Sequence, residues 1–259
     1  MTAEPAPLAA NYFKAPVCRN CDAALDTPFC ARCGQKQAAR LSLRTLASET
    51  WERFRWFEFS VLTAAWRLIF RPGQVAREYV LGVRKRHVHP LKLLLIAIGV
   101  LLLVLARSRY LQQSDAKLGK AMQLIQAYGS WSFSLGIVAI ALATLAVFWR
   151  RLQYNVTEHL VLAVYCHFLI ICASILNLLP TLLVQAPAWL AAHRAFSAIY
   201  MGALEAGIVM LACQQFFLID WRRQWWRLLL AGAVFVVLKL TLLRLFAILL
   251  VKIVIAQTH

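Results

Sequence analysis

Apolar and polar positions divide the chain near residue 90. Beyond that point the sequence is dominated by five apolar runs, at residues 91–106, 131–149, 156–179 (stopped by Pro180), 198–219 and 228–251. A full crossing of a bilayer needs ~20 predominantly apolar residues. The first run is shorter, but Lys92 and Arg107 at its ends can snorkel to the interface. Before residue 90 the period is helical and the faces are mixed. Leu43, Leu46, Trp51, Phe54, Phe57, Val61, Leu62 and Ala65 recur at helical spacing, with Glu49, Glu52, Arg53, Arg55 and Glu58 between them. Ser42 is the predicted cap. The aromatic segment 54–70 predicts a helix lying in the membrane interface, with packing against the amino-terminal head as the alternative. Pro72-Gly73 ends it, and a short helix over 74–81 is predicted to stop at Gly82. Residues 111–126 place Leu111, Leu118, Met122 and Ile125 on one face, a second amphipathic helix on the far surface.

The expected fold class is therefore all-α, a multi-pass transmembrane helix bundle of five spans. Composition supports it: 61% of the 259 residues are hydrophobic, against ~45–50% in soluble domains. A net charge of +17 would suit a nucleic-acid binder, but in a multi-pass protein Lys and Arg collect in cytoplasmic loops. With the amino terminus inside, nineteen bases fall on the cytoplasmic side and six on the other. The carboxyl terminus is then expected on the periplasmic side. Trp131, Trp149, Trp189, Trp221, Trp225 and Trp226 stand at span ends, as an aromatic belt does. Arg71, Arg77, Arg84, Lys85 and Arg86 form a basic collar before the first span. Such collars attract anionic lipid headgroups.

Four of the seven cysteines fall in Cys18-x-x-Cys21 and Cys30-x-x-Cys33. Residues 1–15 do not read as a signal peptide, so the head is expected in a reducing compartment, where paired cysteines more often bind metal than oxidise. Two such pairs predict a tetrahedral structural Zn²⁺, one ion held by Cys18, Cys21, Cys30 and Cys33. Gly34 lets the backbone turn around the second pair. The ribbon is too small to bury a core, so metal would have to fold it. It offers a surface for a protein partner. Its few bases and single aromatic, Phe29, make nucleic acid an improbable ligand.

No catalytic set stands out, and His159 and His167 are not at the spacing of a zinc protease motif. Ionisable groups do occur inside the apolar runs: Glu158, His159, His167, Glu205, Lys239 and Arg244. Such groups are costly in a membrane and usually paired. Depth counting pairs Glu205 with Arg244, sets Lys239 level with His167, and lets Glu158 reach the Arg150–Arg151 loop. These groups either lock helices together or serve an intramembrane enzyme or ion-coupled carrier through Glu158, His159 and His167. A second metal site at His159, Cys166 and His167 is a further alternative.

One combination is specific. A ribbon ending in Phe29-Cys30-x-x-Cys33-Gly34-Gln35 precedes an aromatic helix. R-P-G-x-x-x-R-E-Y-x-x-G-x-R (Arg71 to Arg84) and Pro90 follow, then Y-N-x-x-E-H-L-V (Tyr154 to Val161). This resembles a bacterial family of zinc-ribbon multi-pass membrane proteins, catalogued as a domain of unknown function, over the chain up to about Leu179. The resemblance implies architecture and an inner-membrane address, not a reaction. The expected organisation is a flexible tail at 1–16, a zinc ribbon at 17–37, interfacial helices and basic collar at 38–90, and the bundle at 91–259.

Overall fold

The structure is a computed structural model, and it describes residues 8–9, 11–47, 66–108 and 132–258. Most of the predicted interfacial helix over 54–70 and the predicted surface helix over 111–126 lie outside the described residues. Among the described residues, every long element is a helix. They are α1 (Pro72–Val80), α2 (Pro90–Arg107), α3 (Ser132–Phe148), α4 (Val156–Leu183), α5 (Pro187–Phe216) and α6 (Trp221–Thr258).

The centre of the bundle is α4, against which α1, α2, α3 and α5 all pack. From Thr157 to Ile171 nearly every side chain is buried. A helix apolar all round is one enclosed by others. Its second half is more open, and the buried parts of α5 (Val209, Ala212, Cys213, Phe216) and α6 (Ala231, Phe235) face the same end. The protein core therefore sits at the collar end. At the other end large apolar side chains point outward, Ile199 at 75% and Leu183 at 88% exposure. A soluble monomer rarely exposes so continuous an apolar surface; hydrocarbon accounts for it.

Four described helices are long and apolar enough to cross a membrane: α2, α4, α5 and α6. The second predicted span is the exception. Its helix, α3, has 17 residues and is the shorter apolar member. It stops at Phe148 because the chain reverses directly afterwards, through Leu152 and Gln153 in the left-handed region (φ 56° and 50°). The predicted stop at Pro180 does not occur either. Helix α4 runs on to Leu183 with Pro180 inside, since one proline so near the end removes little of the helical ladder. The fourth span starts eleven residues earlier than expected, at Pro187, a proline that opens a helix at its first position rather than marking a loop. The fifth begins at Trp221, with a break in helical geometry at Gln224 (φ −124°).

Collar helix α1 forms, but it starts two residues earlier than expected, at Pro72, and ends at Val80, one residue before the expected end. Ser42 caps as predicted, its Oγ accepting from the Thr45 N–H at 3.2 Å. At the end of α1, Gly82 takes φ +101°. Its N–H bonds the Tyr79 carbonyl at 3.1 Å and the Val83 N–H bonds the Glu78 carbonyl at 2.9 Å. These two bonds make a Schellman ending. At the start, Gly73 lies flat on α5, where a Cβ would stand 2.0 Å from the Ala212 carbonyl oxygen. Gln215 of α5 caps α1 by accepting from the Gly73 N–H at 3.1 Å, while its Nε2 donates to the Phe70 carbonyl at 3.1 Å. The Pro-Gly pair is thus the seat of the collar on the bundle.

Candidate metal centre and its docking on the bundle

Each cysteine pair closes a knuckle of the same design. The Cys18 N–H bonds the Ala23 carbonyl and the Cys30 N–H bonds the Gln35 carbonyl, at 2.8 and 2.9 Å. Single antiparallel bridges, Val17 to Ala24 and Phe29 to Lys36, flank the turns. The residue after each pair is left-handed: Gly34 at φ 67° and, in the first knuckle, Asp22 at φ 59°. Asp is among the few side chains that tolerate this region.

The four Sγ atoms lie within 4.8 Å of one another. Cys18 and Cys33 approach to 3.6 Å, as do Cys21 and Cys30. An ion held tetrahedrally at ~2.3 Å from each sulfur would separate the sulfurs by ~3.8 Å. The donor set therefore fits Zn²⁺. The cradle also prepares the charge. Backbone N–H groups of Cys33 and Arg32 aim at the Cys30 sulfur and bring its thiol down to about 6. The Ala23 N–H does the same for Cys21, but burial and the three neighbouring sulfurs outweigh it and push that thiol up to about 12. Four sulfurs this close cannot all ionise without a cation among them.

The ribbon is bonded to the collar. The Gln35 amide is the main staple: its Oε1 accepts from the Arg84 and Lys85 N–H groups at 3.1 and 2.9 Å, and its Nε2 donates to the Gly82 carbonyl at 2.7 Å. Arg86 N–H donates to Asn20 Oδ1 at 3.1 Å. The side chains of Arg84 and Lys85 donate to the Ala39 and Cys33 carbonyls. Tyr12, within the expected flexible tail, donates its hydroxyl to the Leu81 carbonyl at 3.3 Å and carries Arg19 over its ring. His87, nearly buried, meets Glu78 at 2.7 Å. Burial drives its imidazole below the ordinary value despite the carboxylate beside it, so near neutral pH the contact is a neutral ring donating to Glu78.

Two of the collar bases are thus committed to the ribbon: Arg84 is buried, and the Lys85 side chain donates to the Cys33 carbonyl. Arg77 is half-buried beside Tyr154, whose phenol burial raises although Arg77 opposes the shift. Arg71 and Arg86 are exposed.

The exit of the ribbon grips the first turn of α4. Glu158, fully buried, receives Arg40 Nε and Nη2 at 3.0 and 3.2 Å. It also accepts from the Asn155 N–H at 2.7 Å, while Asn155 Oδ1 accepts from the Glu158 N–H at 2.9 Å. That is a complete capping box. Asn155 Nδ2 donates to the Leu41 carbonyl at 2.9 Å, closing the clamp. Glu158 thus meets Arg40 rather than the Arg150–Arg151 loop. Arg151 instead donates to the Phe217 and Leu218 carbonyls at 2.7 and 3.0 Å. Nothing in the sequence alone pairs residues 118 positions apart. An acid three residues after Asn155 is the one local signal.

The remaining intramembrane groups are dispersed. His159 Nδ1 stands 3.1 Å from Thr144 Oγ1. That hydroxyl donates to the Ala141 carbonyl at 3.0 Å, so the imidazole donates from Nδ1, and its buried Nε2 has no hydrogen-bond partner among the described residues. His167 lies one layer on, over Gly136, where a Cβ would come within 2.6 Å of its ring. The two histidines line the α3–α4 seam about 12 Å apart along the helix. Among the described residues only the four ribbon cysteines form a group able to hold a metal, so the alternative site at His159, Cys166 and His167 is not assembled. Glu205 pairs with Lys239, not Arg244, which is exposed. Depth counting from residue 198 misses the true register, because α5 begins at Pro187. The same pair leaves Lys239 committed to Glu205 rather than His167.

Comparison with known proteins bears on the collar. Residues 60–102 match a family described as Protein of unknown function (DUF3667). The matched stretch takes in α1, the Gly82 turn and most of α2; the ribbon lies outside it. No curated protein and no solved structure matches the chain.

Proposed function

We propose that the chain is a non-enzymatic integral protein of the bacterial inner membrane whose amino-terminal ribbon binds one structural Zn²⁺ on the cytoplasmic side. The ribbon serves as a docking module for a protein partner, and the bundle acts in transport, assembly or envelope regulation. The carrying observation is the continuous hydrogen-bonded path from the cysteine knuckles through Gln35 and the 82–86 turn, with Arg40 on the first turn of α4. Zinc would hold the knuckles closed through Cys18, Cys21, Cys30 and Cys33. The chain's own residues then transmit that order to the mouth of the bundle. Helix α6 runs away from the collar end, which supports a periplasmic carboxyl terminus once the ribbon is taken as cytoplasmic.

Hydrogen exchange on the intact protein tests the docking. In Cys30→Ser the amides of Arg84, Lys85 and Arg86 should lose protection while the chain stays in the membrane fraction. Unchanged protection at those amides would break the link between ribbon and bundle. The carrier or enzyme reading has one observation in its favour, the buried His159 Nε2. Glu158, already committed to Arg40 and the cap, counts against it.

A further inference from the structure

We propose that the collar end of the bundle carries a binding face for anionic phospholipid headgroups, built around Arg71, Arg150, Arg222 and Arg223 rather than Arg84 and Lys85. It rests on the membrane reading above and gives that reading a specific lipid.

Three segments distant in sequence converge there. Gln215 ties the end of α5 to Phe70 and Gly73, beside Arg71. Arg151 ties the loop after α3 to the α5–α6 corner through the Phe217 and Leu218 carbonyls, with Phe148 stacked on Phe217 at 4.4 Å. Arg151 therefore points inward as the staple, and Arg150 beside it is exposed. The corner leads directly into Arg222 and Arg223, both exposed.

Three of the four cations in this face, Arg71, Arg150 and Arg222, directly follow an exposed aromatic. Trp149 (58% exposed) precedes Arg150, and Trp221 (63%) precedes Arg222, whose guanidinium lies 5.8 Å from the indole centroid. Phe70 precedes Arg71 and is exposed at 58%. Large exposed indoles beside guanidinium groups, at the level where helices leave hydrocarbon, match a headgroup layer: the ring sits among glycerol esters and the fork takes phosphate oxygens. The acid at the corner is Asp220, and its Oδ1 is occupied by the Arg222 N–H at 3.0 Å. The face is thus strongly cationic, and the lipid complementary to it is anionic.

The test uses the full chain in bilayer discs of phosphatidylcholine containing either brominated phosphatidylglycerol or brominated phosphatidylcholine, read by tryptophan quenching. The expected result is stronger quenching by the anionic lipid at low salt, fading as salt rises. Each arginine lost should lower the preference by about five-fold, the equivalent of ~1 kcal/mol per base near the surface. R222Q/R223Q should abolish most of it, and R84Q/K85Q should retain it. Equal quenching by the two lipids, or a preference untouched by R222Q/R223Q, overturns the proposal. Indoles shielded from both lipids would assign the face to a second copy of the chain and overturn it as well. Alkaline extraction of the membranes separates the two readings: a chain released by alkali defeats the membrane assignment, whereas a retained chain without lipid preference defeats only the headgroup face.

Discussion

Removing Arg40 should hurt the protein more than neutralising its partner. Glu158 is fully buried, whereas the Arg40 side chain is 47% exposed. In Arg40→Ala the carboxylate keeps the Asn155 N–H but loses both guanidinium contacts. Stripping a buried charge of its partner costs ~3–5 kcal/mol. Here the vacated Arg40 position opens to water, which can solvate the carboxylate, so the cost falls to ~1.5–3 kcal/mol, the range for a hydrogen bond to a charged group. Glu158→Gln preserves the shape of the capping box and lets Arg40 swing into solvent, at ~1 kcal/mol. The double variant removes both the cation and the charge it neutralised. It should be more stable than Arg40→Ala alone. Thermal unfolding followed by tryptophan fluorescence, at ~2–4 °C per kcal/mol for a chain of this size, should show Arg40→Ala lowered by about 3–12 °C and the double variant recovering part of that. An Arg40→Ala midpoint equal to wild type, or a double variant with the sum of the two losses, would refute the burial argument.

Three other expectations follow from particular contacts. Gly136→Ala should destabilise the α3–α4 seam by ~1–3 kcal/mol through overpacking against His167, and His167→Ala in the same chain should restore it; a rescue that fails on thermal unfolding would mean the clash lies elsewhere. Lys239→Met should lower stability by stranding Glu205, whereas Glu205→Leu with Lys239→Met together should be near neutral, checked by the same midpoint; equal loss in the two variants would contradict a purely structural pair. Acid should loosen the ribbon dock. His87 is held below its ordinary 6.5 by burial, and Glu78 below its ordinary 4.5 because the Gln74 and His87 bonds outweigh its burial. In both cases the unfolded chain binds more protons, so stability falls as pH drops from about 6.5 downward and again below about 4.5. Hydrogen exchange at Gly82–His87 between pH 7 and 5.5 reads the first step, and His87→Gln should flatten it.

The legible parts were those set by local chemistry. Two C-x-x-C pairs specify a ligand cluster because knuckle geometry is contained in a few residues. Gly82 announced the end of α1 because a left-handed ending needs glycine. The apolar runs announced helices, since hydropathy acts residue by residue. Boundaries were less readable where proline has two meanings: Pro187 opens α5 and Pro180 fails to close α4. Pairings were illegible where they depend on tertiary register. The Glu205 partner changed with the true start of α5, and Arg40 meets Glu158 only because the ribbon exit passes over α4. The collar bases looked alike in sequence, yet folding sends Arg84 and Lys85 to ribbon carbonyls and leaves Arg71 outside.

Cys18, Cys21, Cys30 and Cys33 are expected to hold a metal ion on which the ribbon and its dock depend, and elemental analysis of the purified chain measures that ion. One zinc per chain is expected, lost in Cys18→Ser and in Cys33→Ser. A chain with no bound metal and with protected amides at residues 82–86 would contradict it.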